Sequence, residues 1–205
     1  MDEIGLFPLG VVLLPTERIP LHIFEPRYRE LIGECLEERC DFGVVLGDDE
    51  EMQSVGTRAA VTEVLNRFSD GRLDVVVEGG TRFSVVEVTE GRSFRTAFVE
   101  PYDDAPDAAS PADVDRALEL FRRLVELTGS DVDAPDATSS QLSFELAARF
   151  DFAPPLKQEL LEERSERLRL GRLREMLEKA AEVVERQHEV ATLASTNGHA
   201  KPGGP

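Results

Sequence analysis

Two hydrophobic periodicities divide this chain, and they occupy separate halves. From residue 4 to 99, apolar residues come in short runs broken by glycine-containing turns. Past residue 111 they recur at helical spacing. A strand alternates faces every residue, whereas a helix returns to the same face after three or four. The order therefore calls for an α+β fold, with the sheet first and the helices second. Residues 4–14 read as an extended apolar segment, followed by strands near 42–46 and 55–68. Leu73, Val75 and Val77 alternate with polar neighbours, as in a half-buried strand. Further strands are expected near 83–88 and 94–99. Asp70-Gly71, Gly79-Gly80 and Glu90-Gly91 read as turns. Short strands joined by such turns suggest a strongly bent sheet or barrel. One helix is inserted at about 26–38. Pro26 suits its first position, and Tyr28, Leu31, Ile32, Cys35 and Leu36 trace one buried face.

Residues 103–111 are acidic, contain proline and lack periodicity, which marks a boundary. The expected division is a β-rich barrel over 1–102, a linker over 103–111, a helical subdomain over 112–192 and a disordered tail over 193–205. Ser110 is a candidate cap, with Pro111 behind it. Val114, Ala117, Leu118, Phe121, Leu124 and Val125 form an apolar stripe. Thr138 and Gln141 fit a capping box ahead of Leu142, Leu146 and Phe150. After Pro154-Pro155 one long helix is expected to about residue 190. Along it, Glu159, Glu162, Glu163 and Glu166 interleave with Arg164, Arg167 and Arg169, which reads as a solvated face.

The 41 acidic and 23 basic residues give a net charge of −18. Such a surface repels phosphate backbones, so nucleic acid is a poor partner and basic or apolar chains suit it better. No apolar run approaches the roughly 20 residues needed to span a bilayer, and no signal-peptide pattern is present. A cytoplasmic protein without membrane contact is the expectation. Cys35 and Cys40 fall in or just after one helix, where a rise of about 7.5 Å would separate them beyond disulfide reach. They read as core-filling thiols. His22 reads as a partly buried strand histidine. The sequence holds no phosphate-binding loop, no nucleophile elbow and no metal-ligand spacing. The expectation is no enzyme, no cofactor and no metal.

Several segments, in order, resemble the substrate-binding N-terminal domain of Lon-type ATP-dependent proteases. They are Phe7-Pro8-Leu9 through Ile23-Phe24-Glu25-Pro26-Arg27-Tyr28; Phe42-Gly43-Val44-Val45; Val55-Gly56-Thr57-Arg58-Ala59 with Asp70-Gly71-Arg72 and Gly80-Thr81-Arg82-Phe83; and Leu156-Lys157-Gln158-Glu159-Leu160-Leu161 with Ser165-Glu166-Arg167-Leu168. The resemblance implies a PUA-like pseudo-barrel followed by a helical bundle ending in a long helix. It implies recognition of unfolded or tagged polypeptides. The ATPase and Ser–Lys peptidase regions of a full Lon are missing, so the chain looks like a stand-alone form with no proteolysis of its own. Thr16-Glu17 departs from the family pattern, which often carries Gly after Pro15.

The expected role is thus a non-catalytic protein- or peptide-binding module. Phe7, Leu9, Ile19, Leu21 and Phe24 are the candidate apolar contacts, and an exposed strand edge would add main-chain hydrogen bonds. Partners would be unfolded or exposed polypeptide segments and a protease, and the apolar opening is also a candidate homodimer surface. The alternative is an RNA-binding PUA-like domain, for which Arg27, Arg29, Arg58, Arg67, Arg72 and Arg82 would have to converge.

Overall fold

The computed structural model describes residues 2–197, with side-chain surroundings through residue 190. Strands β1 (Asp2–Leu9) and β2 (Arg18–Ile23) precede helix α1 (Pro26–Glu38), and β3 (Phe42–Leu46), β4 (Val55–Arg67), β5 (Leu73–Thr89) and β6 (Thr96–Pro101) follow. The sheet order is β2-β5-β4-β3-β1-β6, and β6 also pairs with β5. Its pairings are antiparallel except β1 with β3. The first half of β5 pairs with β2 and the second with β6, so one long strand bends the sheet towards closure. The barrel core is Phe7, Leu13, Ile23, Phe42, Val75 and Val77, under Tyr28, Leu31, Ile32 and Cys35 of α1.

Gly79-Gly80 is not a turn. Both glycines lie inside β5, and neither has the positive φ found at Gly71 and Gly91. A Cβ on Gly79 would stand 2.1 Å from the Leu14 carbonyl oxygen. The pair marks a close crossing. The segment after β1 passes over β5 there, with Thr16 N–H donating to the Gly79 carbonyl (2.7 Å) and Gly79 N–H to the Glu17 carbonyl (2.9 Å).

The helical half contains α2 (Pro111–Thr128), α3 (Leu142–Ala147), α4 (Pro154–Glu162) and α5 (Glu166–Asn197). Ser110 caps α2 by accepting from Asp113 N–H at 3.2 Å. The expected Thr138 box is absent. Thr138 instead hydrogen-bonds Asp136 in a turn, and α3 starts behind Gln141 with no side-chain cap. The single long helix after Pro154 is broken at Glu163, whose backbone is extended. There the Glu163 carbonyl accepts from Arg82 (3.0 Å) and Arg169 (2.6 Å). Ser165 Oγ restarts the helix by accepting from Leu168 N–H at 3.1 Å. Helix α5 continues through Asn197, so it takes in the first five residues, 193–197, of the expected tail. The rest of that tail lies outside the described residues.

The face expected to be solvated around Glu166 and Arg169 is in fact buried. Arg169 is fully enclosed, and Glu166 is nearly so. Arg169 donates to Asp104, Glu166, Ser143 Oγ and the Glu163 carbonyl, while its guanidinium lies 4.0 Å from the Phe144 ring centre. Arg82 of β5 reaches the same cluster, donating to Asp104 and to the Leu161 carbonyl. Asp104, in the acidic stretch 103–111, therefore bridges both arginines. Burial would push its carboxyl up, but the hydrogen bonds and charge of Arg169 and Arg82 outweigh it and hold the carboxyl below its usual range. Apolar packing also joins the halves. Val12, Leu14 and Val55 complete the core formed by Leu118, Phe121, Leu146 and Leu173. Buried Lys157 of α4 pairs with Glu17, which also accepts from Leu14 N–H at 2.9 Å.

The cysteines also differ from the sequence expectation. Helix α1 ends at Glu38, and Arg39 takes a left-handed conformation (φ 56°, ψ 43°). That reverses the chain, so Cys40 N–H donates to the Cys35 carbonyl at 3.2 Å. The two sulfurs come to 3.5 Å. The expected separation assumed that the helix continued to residue 40.

Candidate functional site

A groove of about 270 Å³ opens where the sheet fails to close. One wall is Phe7–Gly10 at the end of β1, and the other is Leu21–Glu25 at the end of β2. Arg27 and Tyr28 of α1, with Gly47–Asp49, complete it. The floor is aromatic, with Phe7 stacked on Tyr28 at 4.1 Å between ring centres. Phe24 lines it too, 59% exposed, in the same groove as half-buried Leu9 and Leu21.

Phe7, Leu9, Leu21 and Phe24 all line this groove. They differ in depth. Phe7 is buried in the barrel core, Leu9 and Leu21 are half-buried, and Phe24 is exposed. Ile19 does not line the groove, but is half-buried against the barrel core. Its inclusion followed from proximity in sequence. Strand alternation puts Ile19, Leu21 and Ile23 on one face of β2, yet only the end of the strand reaches the opening.

Each free edge bordering the groove carries a proline. Leu6 N–H donates to Arg95 and the Leu9 carbonyl accepts from Gly47, so by alternation Pro8 faces away from β3. Pro20 likewise takes an outward position on β2, because the glycine-to-Glu17 bond fixes Ile19 and Leu21 as the paired residues. Proline cannot donate to a ladder and blunts an edge against strand addition. The edges offer less main-chain pairing than the sequence alone suggested.

Charge around the groove is mostly acidic. Arg27 Nη1 donates to Asp49 at 2.6 Å and Nε to Glu25 at 3.0 Å, and the guanidinium lies 4.5 Å from the Tyr28 ring centre. The Asp49 hydrogen bond, above all, holds Arg27 above its usual range, while burial pushes the Tyr28 hydroxyl up. Asp48 spends one oxygen on the turn, accepting from the Glu50 and Glu51 amides. The pairing of Arg27 with Asp49 carried no signal that periodicity detects, since it spans 22 positions. His22 is exposed on the same strand, hydrogen-bonded through Nδ1 to Asp74 at 2.6 Å, with Phe24 and Phe68 each 6.0 Å away.

A larger hollow of about 790 Å³ lies at the junction of barrel and bundle, walled by Arg82, Tyr102, the 103–109 segment, 137–142 and Glu166. Its ionic floor is the Arg82–Asp104–Glu166 cluster, whose charges are already paired. Five of the six arginines that RNA binding would require are likewise engaged. Arg58 pairs with Asp2, Arg72 with Asp70, Arg82 with Asp104 and Arg27 with Asp49, while Arg29 donates to the Asp70 carbonyl. Among the described residues, no group of three potential ligands could hold a metal ion, and no helix is long and apolar enough to cross a membrane.

The family model for the substrate-binding domain of ATP-dependent protease La (Lon) matches residues 3–179. The chain belongs to the Lon substrate-binding domain family. The match runs from β1 well into α5, so it covers the groove and the ion cluster alike. Solved structures agree with this Lon-type fold. The Lon N-terminal domain protein from Xanthomonas campestris superposes with a TM-score of 0.64 at 29% identity, covering 84% of this chain and 97% of that one. The N-terminal domain of Lon protease from the Mycobacterium avium complex gives 0.67 at 17% identity, covering 86% and 98%. At that identity the likeness concerns the fold alone. Lon protease of Paraburkholderia phytofirmans is 28% identical across 78% of this chain, which spans only 22% of that protein's length.

Proposed function

We propose that this Lon-type domain recognises exposed or unfolded polypeptide segments through the groove between β1 and β2, and performs no chemistry itself. The observation that carries the reading is Phe24. An exposed aromatic ring lines the same groove as the stacked Phe7–Tyr28 pair and half-buried Leu9 and Leu21. At about 270 Å³ the groove is below the usual size of a small-molecule site, and suits a client's apolar side chain better. With a proline on each edge, the client is held by side-chain burial more than by strand pairing. Glu25, Asp48 and Asp49 against Arg27 disfavour acidic clients and favour neutral or basic ones. Cleavage and nucleotide use belong to an ATPase–peptidase, in the same or another polypeptide.

Fluorescence anisotropy with a panel of labelled unfolded peptides tests this. Removing one fully covered side chain costs roughly 1.5–3 kcal/mol, so Phe24→Ala and Leu21→Ala should each weaken binding about tenfold or more. Replacing lysines by glutamates beside the peptide's apolar residue should weaken it further. Unchanged affinity in folded variants overturns the assignment of the groove.

A further inference from the structure

The Cys35–Cys40 pair is a built dithiol, and the groove reading makes no use of it. The turn at Arg39 folds the chain back so that both the Arg39 and Cys40 amides donate to the Cys35 carbonyl. The sulfurs are then 3.5 Å apart, one buried and one exposed. A disulfide needs about 2.05 Å between sulfurs, so the two must close by roughly 1.5 Å. Cys40 lies beyond the last helical residue, and its side chain is exposed. It can supply that movement while Cys35 stays among Leu31, Ile32 and Phe42.

We propose that Cys35 and Cys40 form a reversible redox-modification site, in which a peroxide converts the pair to an internal disulfide that clamps the C-terminal end of α1. The exposed sulfur reacts first. The Cys40 thiolate attacks a peroxide oxygen. The S–O bond forms, the O–O bond breaks, and the departing hydroxide takes up a proton as water. Cys35 sulfur then attacks the Cys40 sulfenic acid. The S–S bond forms, the S–O bond breaks, and the leaving hydroxide removes the Cys35 proton as a second water. In total, two thiols and one hydrogen peroxide give one disulfide and two waters. The division of roles fits the surroundings. Burial, with the Cys40 hydrogen bond and the nearby Glu34 and Asp41 charges, pushes the Cys35 thiol up to about 12, so it keeps its proton until the second step. An exposed thiol with a second sulfur in reach gives a disulfide in preference to irreversible oxidation.

The test treats the purified full chain with hydrogen peroxide, unfolds it, blocks free thiols with a maleimide and records the intact mass. The expected result is a monomer that has lost two hydrogens and takes no label, with both thiols restored by dithiothreitol. Cys40→Ser should leave Cys35 reduced and unreactive in the folded protein. Cys35→Ala should leave Cys40 as a sulfenic acid trapped by dimedone, and circular dichroism of both variants checks that they fold. Two labelled thiols after peroxide treatment overturn the proposal. So does Cys40 sulfinic acid beside a free Cys35, or a disulfide found only between chains.

Discussion

Arg169 and Asp104 face each other through two parallel hydrogen bonds, Nη1 to Oδ1 at 2.8 Å and Nη2 to Oδ2 at 2.7 Å. The arginine side chain has no exposed surface, and the carboxylate is 31% exposed. Removing one member of a buried pair leaves the other charge uncompensated, at a cost of roughly 3–5 kcal/mol. Partial exposure of Asp104, and the bond from Arg169 to Glu166, place Asp104→Ala at the lower end, about 3 kcal/mol. Urea unfolding measures this as a lower midpoint at unchanged slope. An unchanged midpoint contradicts the bridging role.

Acid should expose the same link. Arg169 and Arg82 hold the Asp104 carboxyl below its unfolded value, and at the surface His22 and then Asn66 do so for Asp74. A depressed carboxyl contributes stability that is fully present above its unfolded pKa, near 3.9, and is lost as pH falls through the folded value. Stability should therefore be flat in these groups near neutrality and decline below about pH 4. Asp104→Asn should make that decline shallower. An equally steep acid limb in the variant contradicts the linkage.

Two adjacent glycines should respond unequally to the same substitution. A Cβ at Gly79 meets the Leu14 carbonyl at 2.1 Å, whereas one at Gly80 meets nothing nearer than 3.4 Å. Gly79→Ala should destabilise by at least ~2 kcal/mol through backbone displacement, and Gly80→Ala by no more than ~1 kcal/mol. Thermal melts of both variants decide the matter, and equal shifts argue against the crossing.

Thr16 adopts φ 67°, a left-handed conformation that strains a β-branched residue. Its side chain is exposed, and its N–H bond to Gly79 would survive substitution. Relief of about 1–2 kcal/mol of strain, less the entropy that glycine loses on folding, leaves Thr16→Gly more stable by roughly 0.5–1 kcal/mol. Calorimetry should record a higher Tm, and a fall would show that the side chain contributes something else.

Phe7 and Phe24 line the same groove and should separate under mutation. Phe7→Ala removes a buried ring and should cost about 3–5 kcal/mol of stability. Phe24→Ala removes an exposed one and should change stability by less than ~0.5 kcal/mol while weakening peptide binding. Denaturation beside anisotropy reads both, and a large stability loss at Phe24 would make it a core residue.

The helix at 26–38 and the Asp70-Gly71 turn were legible because local spacing determines them. Gly79-Gly80 misled because glycine serves a tight turn and a close approach equally well, and only the crossing segment distinguishes them. The long helix after Pro154 misled for a related reason. Glu166 and Arg169 carry the same residue types as a wet helix face, and it is Asp104, 65 positions from Arg169, that draws them inside. The groove was half legible. Its apolar members lie in one marked stretch with Arg27 and Tyr28, but Gly47, Asp48 and Asp49 arrive from elsewhere in the chain.

The insertion of Val12 and Leu14 among the helices has a practical consequence. A gene cut within residues 103–111 would leave the C-terminal product missing part of its own interior, and the N-terminal product displaying leucine and valine to water. Neither fragment is expected to stay in solution alone, so transplanting the groove onto another scaffold means moving the bundle with it.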